Sequence, residues 1–163
     1  MYTDKQEILS LLEQVPDPEV PVLSVIDLGI IRDVKQDGDA IEVIITPTYS
    51  GCPAMDVISI QVKMVLLENG FKKVTVTSIL SPAWTTDWMS DAGKEKLRAY
   101  GIAPPNAVPS VCDTRLFAEE DAVQCPHCLS YNTRVISQFG STACKALYKC
   151  LDCLEPFDYF KCH

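Results

Sequence analysis

Two Cys-x-x-Cys knuckles, Cys125-Pro-His-Cys128 and Cys150-Leu-Asp-Cys153, lie twenty-one residues apart near the end of this chain. Four thiolates from two knuckles suit a tetrahedral Zn²⁺, which prefers sulfur and keeps no open position when its role is structural. A segment of about forty residues buries too little apolar surface to offset its ordering entropy, so it needs a staple. Between the knuckles, Thr133, Val135, Ser137 and Phe139 alternate before a turn signal at Gly140-Ser141, as a small antiparallel ribbon does. Residues 124–163 are therefore expected to form a zinc ribbon, with Cys125, Cys128, Cys150 and Cys153 as its ligands. Iron in the same four-sulfur site would resemble rubredoxin, and the spacing of sulfurs does not by itself separate the two metals.

A disulfide reading of these cysteines requires an oxidising compartment. The stretch Met1-Tyr-Thr-Asp-Lys-Gln-Glu has no basic region followed by an apolar run and no cleavage site, and no segment has the length and apolarity to span a bilayer. The expectation is a cytoplasmic protein with reduced thiols and no membrane partner. Charge narrows the partners further. The net charge is -8, and the ribbon has only Arg134, Lys145, Lys149 and Lys161 as cations. Nucleic-acid binding needs a cationic face for phosphates, so no nucleic-acid partner is expected.

The 163 residues accommodate one ordinary domain and the ribbon. The expected division is a first domain over 1–101, a Pro-rich connector over 102–123 beginning Ile102-Ala-Pro-Pro, and the ribbon over 124–163. Within the first domain, Ile8, Leu11, Leu12 and Val15 are spaced for an amphipathic helix over Thr3 to Val15, with Thr3 and Gln6 as a capping box. Ile30 to Lys35 and Ile41 to Ile45 read as a hairpin across Asp37-Gly38. Residues 54–69 place Met55, Ile58, Val62, Val65 and Leu66 on one face of a central helix that stops at Gly70. A third strand, Lys73 to Ile79, and a helix from Ser90 to Tyr100 complete an αββαβα order. The fold class is α+β.

The residue of chemical interest in that domain is Cys52, in Thr48-Tyr-Ser-Gly-Cys-Pro-Ala. Pro53 suits the first turn of a helix, which places Cys52 at the helix amino terminus, where partial positive charge favours a thiolate. Gly51 lets a backbone approach the sulfur, and Thr46, Thr48 and Ser50 offer hydroxyls to it. The alternative is a small buried residue packed beneath the helix.

Asp17-Pro-Glu-Val-Pro, then Val25-Ile-Asp-Leu-Gly, a hairpin, and Thr48-x-x-x-Cys52-Pro53 resemble the MIP18 (DUF59) family across roughly residues 3–101. Members act in maturation of iron-sulfur proteins, and the cysteine of the Cys-Pro motif is their functional residue. Carried over, that residue is Cys52. Ser81-Pro-Ala-Trp-Thr-Thr-Asp-Trp, the connector, both knuckles, Ser137 to Tyr148 and Glu155-Pro-Phe-Asp-Tyr-Phe-Lys-Cys-His extend the likeness over nearly the whole chain. Taken together they resemble the D-subunit family of bacterial 1,2-phenylacetyl-CoA epoxidase systems.

That likeness implies a role in aerobic phenylacetate breakdown beside a di-iron oxygenase and a [2Fe-2S] reductase. Those two proteins and the iron-sulfur assembly machinery are its implied partners, and the role is a non-catalytic one of assisting iron or cluster insertion. The residues agree by what they lack. The only histidines are His127 and His163, so no paired Glu-x-x-His di-iron site can be built, and no phosphate-binding glycine motif is present. A lone Cys52 thiolate is an incomplete set for a cluster in transit, since such clusters take four cysteines. A client or donor cysteine, a small thiol, or a second copy in a homodimer would have to complete it.

Asp17 and Glu19 are candidate helpers, as hard oxygen ligands or acid-base groups, with a turn cap as the plain alternative; Thr48 is a third helper. The remaining cysteines, Cys112, Cys144 and Cys162, read as buried thiols, with a second site that includes His163 as the alternative. The competing function is a structural or regulatory interaction subunit of the oxygenase complex. A thiol enzyme is disfavoured because neither histidine lies in the domain of Cys52.

Overall fold

The structure is a computed structural model in which residues 4–105 and 123–161 are described. The described residues divide into two compact units. The first comprises 4–84 and 88–93, and the second 85–87, 94–105 and 123–161.

The first unit opens with helix α1, Lys5–Leu12. Its N-cap is Asp4, whose carboxylate accepts the Gln6 N–H at 3.4 Å. The expected cap, Thr3, lies outside the described residues. Ile8 and Leu12, one helical turn apart, are both buried. The chain then runs through Pro16, Pro18 and Pro21 in an irregular course that still buries Val15, Val20, Leu23, Val25, Leu28 and Ile30. Its groups are satisfied locally: Asp17 N–H donates to the Leu23 carbonyl at 2.8 Å and Val25 N–H to that of Val15 at 3.0 Å.

Strands β1 (Ile31–Asp37) and β2 (Ala40–Ile45) are antiparallel, closing at the pair Asp37 and Ala40. The two-residue turn is thus Gly38-Asp39, one position beyond the expected Asp37-Gly38. Gly38 supplies the left-handed conformation there, at φ 59°. In β2, Ile41, Val43 and Ile45 alternate inward and are almost wholly buried. Helix α2, Ala54–Glu68, crosses over to β3, Lys73–Ser78, which pairs parallel to β2. The sheet order is β1-β2-β3. The inner face of α2 consists of Ala54, Ile58, Val62 and Leu66 at four-residue spacing, and the helix packs on β3 and α1. Met55 and Val65, expected on that face, flank it half-buried.

A short 3₁₀ turn at Thr86–Trp88 precedes helix α3, Asp91–Ala99, which begins where the Ser90 hydroxyl accepts the Gly93 N–H at 2.9 Å. The order through α3 is the expected αββαβα. In the second unit, β4 (Ile102–Ala103), β5 (Thr133–Ser137), β6 (Lys145–Cys150) and β7 (Pro156–Phe160) form one sheet in the order β4-β7-β6-β5. Residues 102 and 103, expected as connector, are therefore strand. They pair parallel with Asp158 and Tyr159 and are buried, which irregular connector backbone is not. Most of the remaining connector, with Cys112, lies outside the described residues. One buried cluster of the sheet comprises Ala103, Val123, Cys125, Cys150 and Phe157, with Tyr148 stacked on Phe157 at 5.9 Å and edge-on to Tyr159 at 5.5 Å. Two of its five buried members are knuckle cysteines.

Candidate functional site: a thiol loop and a four-sulfur centre

Cys52 lies on the loop from β2 to α2. Gly51, at φ 80°, turns the chain, and Pro53 occupies the N-cap of α2 with no capping hydrogen bond of its own. Cys52 N–H donates to the Tyr49 carbonyl at 3.3 Å, and its own carbonyl accepts Met55 N–H at 3.3 Å. The residue is half-buried. A thiolate lowered by the helix terminus was expected, yet the structure gives the opposite direction. Burial pushes the Cys52 thiol up, the Ala54 N–H and the Tyr49 hydroxyl pull it down, and the carboxylates of Glu19 and Asp17 push it up again. Desolvation and two nearby anions outweigh one amide and one hydroxyl.

The expected helpers are distributed differently. Asp17 is buried, and its Oδ1 accepts the N–H groups of Glu19 at 2.8 Å and Val20 at 2.7 Å, so it caps the turn. Its charge and that of Glu19 nonetheless reach Cys52. Among the described residues, the one group of three or more Cys, His, Asp or Glu side chains with ligand atoms close enough to share a metal ion is the four-cysteine cluster. Cys52, Asp17 and Glu19 do not form such a group. Thr48 is half-buried and Ser50 exposed. The Thr46 hydroxyl is buried with no hydrogen-bond partner among the described residues. Tyr49 is the hydroxyl residue that reaches the sulfur, a role not legible in sequence because its hydroxyl lies far from its own backbone.

The segment before this loop is held by a residue also missed from sequence. Asp27 is buried; its Oδ2 accepts Ser24 N–H at 3.0 Å and the Ser24 hydroxyl at 3.1 Å, and its Oδ1 accepts the Ser90 hydroxyl at 3.1 Å. Gly29, at φ 68°, allows the close approach of Trp88, whose carbonyl oxygen would lie 2.0 Å from a Cβ there. Trp84 donates its indole N–H to the Leu28 carbonyl at 2.8 Å, and Arg32 stacks over Trp88 at 3.5 Å. Both tryptophans are packing residues.

In the second unit, the sulfurs of Cys125, Cys128, Cys150 and Cys153 all lie within 4.8 Å of one another. Cys125 and Cys153 are 3.8 Å apart and Cys128 and Cys150 3.5 Å. A tetrahedral ion with metal–sulfur bonds of about 2.3 Å needs sulfur separations of about 3.8 Å, so the set fits one. Backbone amides point at the sulfurs. The Cys153 and Asp152 N–H groups help hold Cys150 down to about 7 against burial. The Glu155 N–H draws Cys153 down, but burial and the neighbouring sulfurs of Cys128, Cys150 and Cys125 carry it to about 12. One negative sulfur discourages the next, a cost that a divalent cation at the centre removes.

Each knuckle is followed by a leucine in the left-handed region, Leu129 at φ 63° and Leu154 at φ 66°. His127 is exposed and outside the ligand set, with Cε1 3.3 Å from where a Cβ on Gly101 would lie. Cys144 is buried, its sulfur 3.0 Å from the Thr142 hydroxyl. Cys162 and His163 lie outside the described residues.

Comparison with known proteins agrees with both units. Residues 5–78 match the model of a family described as iron-sulfur cluster assembly protein, and residues 109–161 match that of the PaaD zinc beta ribbon domain. The class is therefore an iron-sulfur-assembly-type α+β domain joined to a cysteine-clustered β-ribbon. A protein of Escherichia coli (strain K12), named as the putative D-subunit of 1,2-phenylacetyl-CoA epoxidase, is 52% identical over 96% of this chain and 92% of its own length. The chain belongs to the PaaD family. The chain is also 38% identical to the Fe-S protein maturation auxiliary factor YitW of Bacillus subtilis (strain 168), over 55% of this chain and 89% of that one. Among solved structures, a DUF59 domain from Bacillus anthracis is similar at 30% identity and a TM-score of 0.54, covering 57% of this chain and 90% of that chain. The conserved hypothetical protein TM0487 from Thermotoga maritima is similar at 29% and 0.50, over 58% and 94%.

Proposed function

We propose that this chain is a non-catalytic accessory protein of phenylacetate catabolism that assists insertion of iron or an iron-sulfur cluster into the phenylacetyl-CoA epoxidase or its reductase through Cys52. The observation that carries the reading is the position of Cys52. It is half-buried on the β2–α2 loop of an assembly-type domain, within reach of the Tyr49 hydroxyl and of the charges of Glu19 and Asp17. The naming of the 52% identical relative supports the pathway, and that of the maturation factor YitW supports the activity. A single thiol without a three-ligand set holds cargo weakly, which favours passing it to a client or a donor.

In this reading Cys125, Cys128, Cys150 and Cys153 hold a structural Zn²⁺ that keeps the ribbon folded. The assembly-type domain extends to about residue 101, the ribbon starts near 124, and the first residues of the stretch between them are drawn into the ribbon sheet. The partners are the oxygenase, the reductase and the iron-sulfur assembly machinery, in the cytoplasm.

The test is the iron and acid-labile sulfide content of the oxygenase and reductase, each purified after co-expression with this protein or with Cys52→Ser, the variant first shown folded and metal-loaded. Loss of iron or sulfide from a client only with the variant supports the reading and identifies the cargo. Full loading of both clients with either form overturns it and favours an interaction subunit of the oxygenase complex.

A further inference from the structure

Helix α2 is apolar on two sides. Opposite its buried face, Val57, Ile60, Met64 and Leu67 are 44%, 58%, 53% and 48% exposed. Single exposed apolar residues are ordinary on a folded protein. Here four large ones stand at spacings of three, four and three along one helix, which is the a/d seam of a two-heptad coiled coil. A helix that met only solvent on this side would gain nothing from such a stripe.

The charges along the seam say what fits it. Asp56 and Lys63 hold the g positions on one flank, and Gln61 and Glu68 the e positions on the other. None of the three charged residues has an ion-pair partner among the described residues. Against a second, parallel α2 helix, g residues meet e residues five further on, so Lys63 faces Glu68, and Asp56 lies opposite the uncharged Gln61, whose Oε1 is buried. Against an antiparallel one, g meets g, and Asp56 faces Lys63. In neither arrangement do like charges meet, and each occurs twice about the two-fold axis.

We propose that the Val57-Ile60-Met64-Leu67 face of α2 is a homodimer seam whose occupant is the same face of a second copy of this chain. The proposal is independent of any role for Cys52. Two helices of fifteen residues cover less than the roughly 800 Å² per partner of a standard stable interface. The dimer is accordingly weak and forms over tens of micromolar, in order of magnitude.

Sedimentation equilibrium of the full-length, metal-loaded chain tests this between about 2 and 200 µM, a range chosen to bracket that affinity. The expected mass rises from 18.1 kDa toward twice that value, and Ile60→Glu and Met64→Glu hold it at the monomer with an unchanged circular dichroism spectrum. Lys63→Glu weakens association by at least threefold. Adding Glu68→Lys restores it if the helices are parallel, and adding Asp56→Lys restores it if they are antiparallel. A wild-type chain that stays monomeric at the highest concentration overturns the proposal. So does a dimer indifferent to Ile60→Glu and Met64→Glu, or a failure of both charge exchanges to restore pairing. Monomeric wild type whose Ile60→Glu variant no longer co-purifies with an oxygenase or reductase subunit assigns the face to that partner instead.

Discussion

The environment of Cys52 sets its ionisation. Burial and the charges of Glu19 and Asp17 favour the neutral thiol, so the thiolate fraction at neutral pH lies below that of an ordinary cysteine. Alkylation of Cys52 by iodoacetamide, followed by peptide mass spectrometry, should rise with a midpoint above that of a free thiol. Glu19→Gln removes one anion, so the midpoint should fall. A midpoint at or below the ordinary thiol value in the unaltered protein would contradict the assignment. Asp27 gives a second prediction. Replacing it with alanine removes a buried acceptor from Ser24 and Ser90 and leaves the Ser24 N–H unpaired, at a cost of about 2–4 kcal/mol in urea unfolding. An effect under about 0.5 kcal/mol, the range of ordinary surface substitutions, would mean that these bonds are readily replaced by water.

At the scale of elements, the two knuckles carry a conformational cost that can be removed. Leu129 and Leu154 hold left-handed backbone with exposed side chains, a state unfavourable by about 1–2 kcal/mol for residues with a Cβ. Glycine accepts the conformation but loses more chain entropy on folding. Leu129→Gly and Leu154→Gly should therefore each raise the stability of the metal-loaded ribbon by about 0.5–1 kcal/mol, measured by thermal unfolding. Lower stability in both would show that the leucines make contacts worth more than the strain. Elements also differ in how clearly sequence announces them. The hairpin and α2 follow from strong periodic patterns and turn residues. The two-residue β4 has no pattern to read, since it exists only because β7 offers an edge to pair with.

For the molecule as a whole, the metal centre should govern one unit and spare the other. One buried cluster of the ribbon joins the ligand cysteines Cys125 and Cys150 to Ala103, Val123 and Phe157, so removing an ion held by those sulfurs should loosen the sheet around it. The first unit has α1, α2 and its own three-stranded sheet, with buried apolar residues such as Ile8, Val43 and Ile58. Chelation should release about one metal equivalent and abolish amide-exchange protection in β5, β6 and β7 while β2, β3 and α2 stay protected. Cys125→Ser should do the same without chelator. Uniform loss of protection throughout the chain would show that the units fold as one.

The α+β class, the order of elements through α3, the turn-and-helix setting of Cys52 and the pairing of the two knuckles are all legible in the amino-acid order. Each rests on information within a few residues: hydrophobic period, Gly and Pro at special backbone positions, and cysteine spacing. Tertiary structure alone decided matters that depend on residues distant in the chain. It set the direction of the Cys52 shift, because Asp17 and Glu19 approach from a loop more than thirty residues earlier. It gave Asp27 its tie to Ser90, sixty-three residues away. It also made Ile102–Ala103 a strand and left the outer stripe of α2 facing solvent, since edge pairing and exposure are properties of what the rest of the chain covers.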